Sequence, residues 1–228
     1  MASSVVQGSV LGGTLFDIYI NDIRKCNVNA LITLFADDTK VAQVVKDEED
    51  TKKMQSLVDK LQRWAETWGM MFNASKCHIM HVGFNNPEFQ YTMNGTQIGE
   101  SKEEKDLGVW MEASMKPGKQ CATAAKAANF TLGQIQRAFH YRTKKTLVPL
   151  YKSFVRPKIE FAVQAWSPWQ ERDKKALKKV QERMIRLLSD AQGESHEEKL
   201  RSVNLTTLKE CRKRGGLDRS VQNLEWNQ

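Results

Sequence analysis

Asp37 and Asp38 stand side by side at the end of an apolar run, in Leu31-Ile32-Thr33-Leu34-Phe35-Ala36-Asp37-Asp38-Thr39-Lys40-Val41-Ala42. Adjacent carboxylates repel, which raises the cost of ionising both unless a cation lies between them. Hard oxygen donors suit Mg²⁺, and a pair of such ions stabilises both the attacking and the leaving oxygen of a phosphoryl transfer. The competing reading is a solvated polar turn. Tight two-residue hairpin turns favour Asn-Gly or Asp-Gly, because their central residues need positive φ, and Asp-Asp has no such turn chemistry to recommend it. The surrounding elements must decide between the two readings.

Residues 31–36 are β-branched and apolar enough for a buried strand, residues 39–45 can pair with it, and the two aspartates then sit at the hairpin tip. Upstream, Leu11, Leu15, Tyr19 and Ile23 recur at helical spacing and predict a helix over residues 10–23 packed on a sheet, its first turn weakened by Gly12-Gly13. Downstream, residues 47–68 predict a longer helix. Met54, Leu57, Val58, Leu61, Trp64, Ala65 and Trp68 share one face of it, acids occupy its first turn, and Gly69 stops it. A strand over residues 77–82, a hairpin over 89–98 around Asn94-Gly95 and a strand over 107–111 follow.

After Pro117-Gly118 the pattern is wholly helical: residues 119–139 with Leu132, Ile135 and Phe139 on one stripe, then 144–166, started or kinked near Pro149 and Pro157. Residues 173–189 place Leu177, Val180, Met184 and Leu187 inward, and a polar tail ends in a short helix over 206–214. The reading is an α+β fold with a boundary where mixed strands give way to basic helices. It divides the chain into residues 1–112, 113–190 and a tail of 191–228.

A chain of 228 residues with 40% hydrophobic residues can bury one ordinary core, or one domain plus a smaller helical one. No apolar run is long enough to span a bilayer and the start has no secretory pattern, so a soluble intracellular protein is expected, with no membrane partner. Four scattered cysteines without a C-x-x-C pair imply reduced thiols. Cys77, His78 and His81 lie close together, but on an apolar strand with no second cluster they read as packing residues, so no structural zinc is expected.

The formal net charge of +8 is unevenly spread. Between Arg137 and Arg186 there are 14 Lys or Arg against 4 Asp or Glu, an excess of +10, which leaves −2 for the remainder. Such a block suits a polyanion such as nucleic acid, the alternative being a solvated helical face.

The order of segments carries a resemblance. Gln7-Gly8-Ser9-Val10-Leu11-Gly12, Leu15-Phe16, Ile18-Tyr19-Ile20-Asn21-Asp22 and Leu34-Phe35-Ala36-Asp37-Asp38-Thr39 are followed by Trp68-Gly69-Met70-Met71-Phe72-Asn73-Ala74-Ser75-Lys76-Cys77 and Asp106-Leu107-Gly108-Val109. Leu150-Tyr151-Lys152-Ser153-Phe154-Val155-Arg156-Pro157, Glu160-Phe161-Ala162-Val163-Gln164-Ala165-Trp166-Ser167-Pro168 and Val180-Gln181-Glu182-Arg183 complete the series. Together, over about residues 5–215, they resemble the reverse transcriptase of non-LTR (LINE-type) retrotransposons, in its jockey-like and chicken-repeat-like group.

The resemblance implies the C-terminal part of a right-hand polymerase palm, antiparallel strands with packed helices, followed by an all-helical thumb. It implies an RNA-directed DNA polymerase whose partners are an RNA template and a DNA primer. Asp37 would ligate catalytic Mg²⁺ with Asp38 in support, and Lys76 would stabilise the leaving pyrophosphate. Gln7, Gly8 and Ser9 would lie against template and nucleotide, Leu107 and Gly108 would grip the primer, and Lys152, Arg156, Lys174, Lys175, Lys178 and Lys179 would hold the duplex backbone.

Departures accompany the match. Val6, Gly13 and Thr14 stand where the family has proline before Gln7 and Pro-Leu after Gly12, and Asp17 stands where an apolar helix residue is usual. The family's fingers and its earlier palm aspartate belong upstream of Gln7. The expectation is therefore a fragment inactive on its own, with a noncatalytic nucleic-acid-binding remnant using the basic helices as the alternative.

Overall fold

The computed structural model describes residues 8–26, 30–83, 86–188 and 195–214, and the chain parts into two units, Met1–Lys102 and Glu103–Gln228, each with its own core. Among the described residues no helix is long and apolar enough to cross a membrane.

In the first unit, helix α1 (Gly12–Ile20) runs into a 3-10 turn (Asn21–Cys26), followed by the antiparallel strands β1 (Leu31–Phe35) and β2 (Asp38–Ala42) and by helix α2 (Glu48–Thr67). Asp47 caps α2 by accepting a hydrogen bond from Asp50 N at 2.9 Å, and Glu48, Glu49 and Asp50 place negative charge against the positive end of the helix. Leu57 and Leu61 bury toward Ile20, Ile23 and the inner side chains of the hairpin, while Val58 packs with Tyr91, Met93 and Ile98. Full burial of each leucine is worth roughly 1.5–3 kcal/mol, so α2 is the beam on which both clusters rest.

The remaining strands of this unit are short: β3 (His78–Ile79) pairs in parallel with β6 (Gly99–Glu100), and β4 (Thr92–Met93) pairs with β5 (Thr96–Gln97). Asn94 and Gly95 both take positive φ, as the hairpin chemistry predicts. Gln55 exchanges hydrogen bonds with the backbone of Thr92, and Gln62 accepts from Asn94 N at 2.9 Å, which fastens that hairpin to α2.

Two expectations are corrected here. The helix expected at residues 10–23 is shorter: it turns Phe16 and Ile20 to the core, Ile23 is buried from the 3-10 turn that follows, and Leu11, Leu15 and Tyr19 are exposed. Apolar residues line more than one of its faces, so periodicity alone does not choose between them. Asp17 is exposed. The strand expected over 77–82 is paired only at His78 and Ile79. Cys77 is half-buried, and burial pushes its thiol up from the ordinary range. Among the described residues no group of three His, Cys, Asp or Glu side chains is placed to hold a metal ion.

The second unit opens with the hairpin β7 (Glu103–Asp106) and β8 (Val109–Glu112), then α3 (Gly118–Ala138), α4 (Lys144–Leu150), a π-helical turn (Tyr151–Val155), α5 (Arg156–Glu160), α6 (Val163–Trp166), α7 (Glu171–Leu187), α8 (His196–Ser202) and α9 (Leu208–Arg214). Helices α3 and α7 form its centre, where Cys121, Ala124, Ala128 and Leu132 of α3 and Leu177, Val180 and Met184 of α7 belong to one buried cluster. Pro149 lies inside α4 and Pro157 in the first turn of α5. Between them the backbone widens: Arg156 N donates to Tyr151 O, five residues back, next to Pro157, whose ring would meet the Ser153 carbonyl in a regular α-helix.

Composition changes near residues 111–117, but the units part at Lys102 and Glu103. The hairpin β7–β8 is tied to α3: Trp110 N donates to Gln120 Oε1 at 3.0 Å, Lys119 lies 3.5 Å above the Trp110 ring centroid, and its ammonium pairs with Glu103. Residue 107 begins no strand; it is the first residue of the turn joining β7 to β8. The stretch read as a polar tail contributes Leu200, Val203, Leu205 and Leu208 to the core, with α8 started by a reciprocal Ser195–Glu198 capping box.

Candidate functional site

The register Phe35↔Asp38 makes Ala36 and Asp37 the two turn residues of the first hairpin. Both aspartates were expected at the tip; the structure puts Asp37 there and makes Asp38 the first residue of β2. Ile32, Leu34 and Val41 pack into the core from the inner face, and a shift by one residue would turn them all to solvent. That register forces Ala36 to φ +49, a left-handed conformation that costs a residue bearing a Cβ roughly 1–2 kcal/mol. Strain of this kind concentrates at functional sites.

Asp37 and Asp38 are both exposed. Their donor chemistry fits Mg²⁺, which accepts one or two carboxylates and completes its shell with water and substrate phosphate oxygens. Their number falls short of a full protein ligand set among the described residues.

Lys76 ends a 3-10 turn (Ala74–Lys76) shaped by Asn73, whose side chain accepts from Ser75 N at 3.1 Å. The lysine is exposed, and among the described residues no hydrogen bond or ion pair joins it to either aspartate. Gly8 has φ +88 with open space where a Cβ would stand, and Ser9 is exposed. Gln7 lies outside the described residues. Tyr19, from the same series of motifs, donates its hydroxyl proton to Trp68 O and meets the Trp68 ring edge-on at a centroid distance of 5.2 Å.

In the second unit Leu107 and Gly108 form the β7–β8 turn, with φ +45 and +87. A Cβ on Gly108 would stand 3.2 Å from Phe161 Cε1, so glycine answers both the backbone conformation and the close ring. The six basic residues separate by environment. Lys152, Lys175 and Lys179 are exposed and, among the described residues, in no ion pair. Lys174 pairs with Glu171 at 2.6 Å and Lys178 with Glu182 at 3.7 Å. Arg156 is turned inward, to Glu160 and Thr206.

Beside Gly108 a groove of about 650 Å³ runs along α3 and the Tyr151–Glu160 stretch, with Phe154, Phe161, Lys105 and Lys158 on its walls. Sequence spacing did not reveal it. Phe154 and Phe161 sit in the quoted motifs, but nothing in their spacing shows that a π turn and a glycine turn bring them to one groove.

Residues 2–141 match the family described as reverse transcriptase (RNA-dependent DNA polymerase). The chain is 29% identical over 206 residues to the RNA-directed DNA polymerase from mobile element jockey of Drosophila funebris, which covers 83% of this chain and 22% of that protein. It is 26% identical over 205 residues to the jockey polymerase of Drosophila melanogaster, covering 84% and 22%. With the probable RNA-directed DNA polymerase from transposon X-element of the same fly it shares 22% identity over 201 residues, covering 83% and 22%. The chain thus spans about a fifth of the length of the curated relatives it matches. No solved structure matches it. With its paired aspartates on a hairpin inside the matched stretch, this chain belongs to the reverse transcriptase (RNA-dependent DNA polymerase) family, and within it is jockey-like.

Proposed function

We propose that this chain contributes the carboxylate hairpin and the nucleic-acid-binding helices of an RNA-directed DNA polymerase, its first unit as part of a palm and its second as a helical thumb. The observation that carries the reading is the exposed position of Asp37 and Asp38 at the end of a register-locked hairpin within the family match. Asp37 and Asp38 are the residues that would hold Mg²⁺, which when bound lowers the cost of ionising a primer 3′-hydroxyl and offsets charge on a leaving pyrophosphate. Lys76, exposed on its turn, is free to meet phosphate oxygens with its ammonium group. The Leu107–Gly108 turn offers backbone without a side chain at Gly108 for close approach of a primer strand. Lys152, Lys175 and Lys179 supply phosphate contacts that hold a duplex without reading its sequence.

Two carboxylates are fewer than a two-metal site uses, so nucleotide addition by these residues alone is not expected. The test is incubation of the purified chain with an RNA–DNA hybrid, Mg²⁺ and nucleotides. Hybrid binding that weakens with salt, without primer extension, is the expected result. Absence of binding at about 50 mM salt would sink the reading. Extension abolished by Asp37→Asn would overturn its claim of an incomplete site.

The exposed, unpaired lysines also favour a second reading, a noncatalytic nucleic-acid-binding module. Under that reading Asp37→Asn leaves every binding property untouched. Under the polymerase reading it abolishes the Mg²⁺-dependent gain in affinity for a complementary nucleotide on the primed hybrid.

A further inference from the structure

We infer that the groove of the second unit is a stacking site for an unpaired nucleobase at the end of a nucleic-acid strand, with Phe154 and Phe161 as its aromatic walls and Lys105 and Lys158 as its phosphate contacts. The inference rests on the polymerase reading and adds residues and a ligand feature to it.

Two aromatic rings on its walls are left largely in water, Phe154 at 57% and Phe161 at 56% exposure. Each forgoes most of the roughly 1.5–3 kcal/mol that burial would supply. Neither ring belongs to a loose segment. Phe161 N donates to Pro157 O at 2.9 Å, Phe161 O accepts from the indole Nε1 of buried Trp166 at 2.8 Å, and the next residue, Ala162, is held at φ +48. Phe154 projects from the π-helical turn, a geometry frequent at functional sites. The strained Leu107–Gly108 turn adjoins the same groove, with Phe161 lying in the space that a side chain on Gly108 would fill. Two departures from regular backbone, the π turn and the Gly108 turn, thus border one surface, while the groove floor on α3 is regular helix.

Charge identifies the occupant. Among the described residues no Asp or Glu lines the groove, and its two cations, Lys105 and Lys158, are exposed and make no ion pair. A basic groove with exposed aromatic rings is how proteins hold single strands, since every base presents a π face and every linkage a phosphate. Paired bases within a duplex have both faces covered, so a terminal or unpaired base is the part these rings can accept. The volume of about 650 Å³ lies in the range of pockets for ligands of nucleotide size.

The test uses the full chain and an RNA–DNA hybrid whose DNA strand ends in an unpaired 2-aminopurine, with overall binding followed separately by the anisotropy of a dye at the other end. Binding is expected to quench the terminal 2-aminopurine. Phe154→Leu and Phe161→Leu, which keep an apolar wall without a π face, are expected to remove the quench and weaken binding of that end by about tenfold, with unchanged circular dichroism. Binding without terminal quenching, or quenching that survives both substitutions, would overturn the inference and leave the polymerase reading standing. No anisotropy change at about 50 mM salt would overturn both.

Discussion

Arg156 and Glu160 face one another across one turn of α5, Nε to Oε1 at 2.8 Å, and the same guanidinium donates from Nη2 to Thr206 Oγ1 at 2.9 Å. Arg156 therefore ties α5 to the segment ahead of α9 inside the unit, and its side chain is only 16% exposed. Its guanidinium is engaged by Glu160 and Thr206, whereas resemblance assigns it to a nucleic-acid backbone. Arg156→Gln is expected to cost about 1–3 kcal/mol in urea unfolding, because Glu160 loses a charged partner in a partly buried place. The slope of log affinity for an RNA–DNA hybrid against log salt is expected to stay unchanged. A reduced slope with intact stability would put Arg156 on the nucleic acid after all.

Lys152, Lys175 and Lys179 should behave in the opposite way. Each is exposed and, among the described residues, outside any ion pair, so each can neutralise a phosphate without leaving a carboxylate behind. Changing all three to glutamine is expected to lower the salt slope by about two to three, at roughly 0.9 per contact in a B-form duplex, with stability within about 0.5 kcal/mol of the parent. The pair Lys174 and Lys178, already engaged with Glu171 and Glu182, should lower it less when changed together. Equal effects per lysine in the two sets would show that these ion pairs do not restrict contact with phosphate.

The contrast between Arg156 and Lys179 marks the limit of what the sequence discloses. Both are cations in a basic helical stretch, and only the packing of Thr206 and Glu160 around one of them separates their surroundings. Where a local rule has one solution, the reading holds: Asn94-Gly95 is a two-residue turn because positive φ is needed twice, and α2 begins at Asp47 because its side chain caps. Where two solutions have similar local cost, tertiary packing chooses. Helix α1 offers Leu11 and Leu15 as well as Phe16 and Ile20, and only the hairpin core selects the second pair. Prolines mark the break after α4, but the groove beside the π turn is also lined by Gly108, distant in sequence and in contact range of Phe161. The hairpin carrying Asp37 and Asp38 was legible as an element; its register was not, because an alanine at φ +49 carries no signal in sequence.

That alanine supplies a stability test. Ala36→Gly removes a left-handed penalty of roughly 1–2 kcal/mol and adds a backbone-entropy cost of roughly 0.5–1 kcal/mol. A net gain of about 0.5–1 kcal/mol is expected, read as a higher urea midpoint with an unchanged m-value. A lower midpoint would mean that the hairpin turn does not hold Ala36 in the left-handed region. Exposed Asp37 and Asp38 are not altered by the change, so any accompanying loss of Mg²⁺-dependent nucleotide binding would trace to turn mobility rather than to lost ligands.

Cys121 sets a pH dependence of the second unit. It is fully buried on α3, and burial first, then the Asp173 carboxylate, push its thiol up to about 12 from an ordinary 9.0. The folded-state value lies above the unfolded one, so the unfolded chain sheds this proton first as pH rises. The stability tied to the protonated thiol is complete below about pH 9 and is lost as pH climbs from there toward 12. The decline is bounded at about 1.4 kcal/mol per pH unit. Comparing urea unfolding of the parent and Cys121→Ala between about pH 8 and 10.5 isolates this contribution, since tyrosines and lysines titrate in both. The parent is expected to lose stability more steeply above about pH 9. Parallel curves would show that the thiol titrates alike in both states, which requires water to reach the interface between α3 and α7.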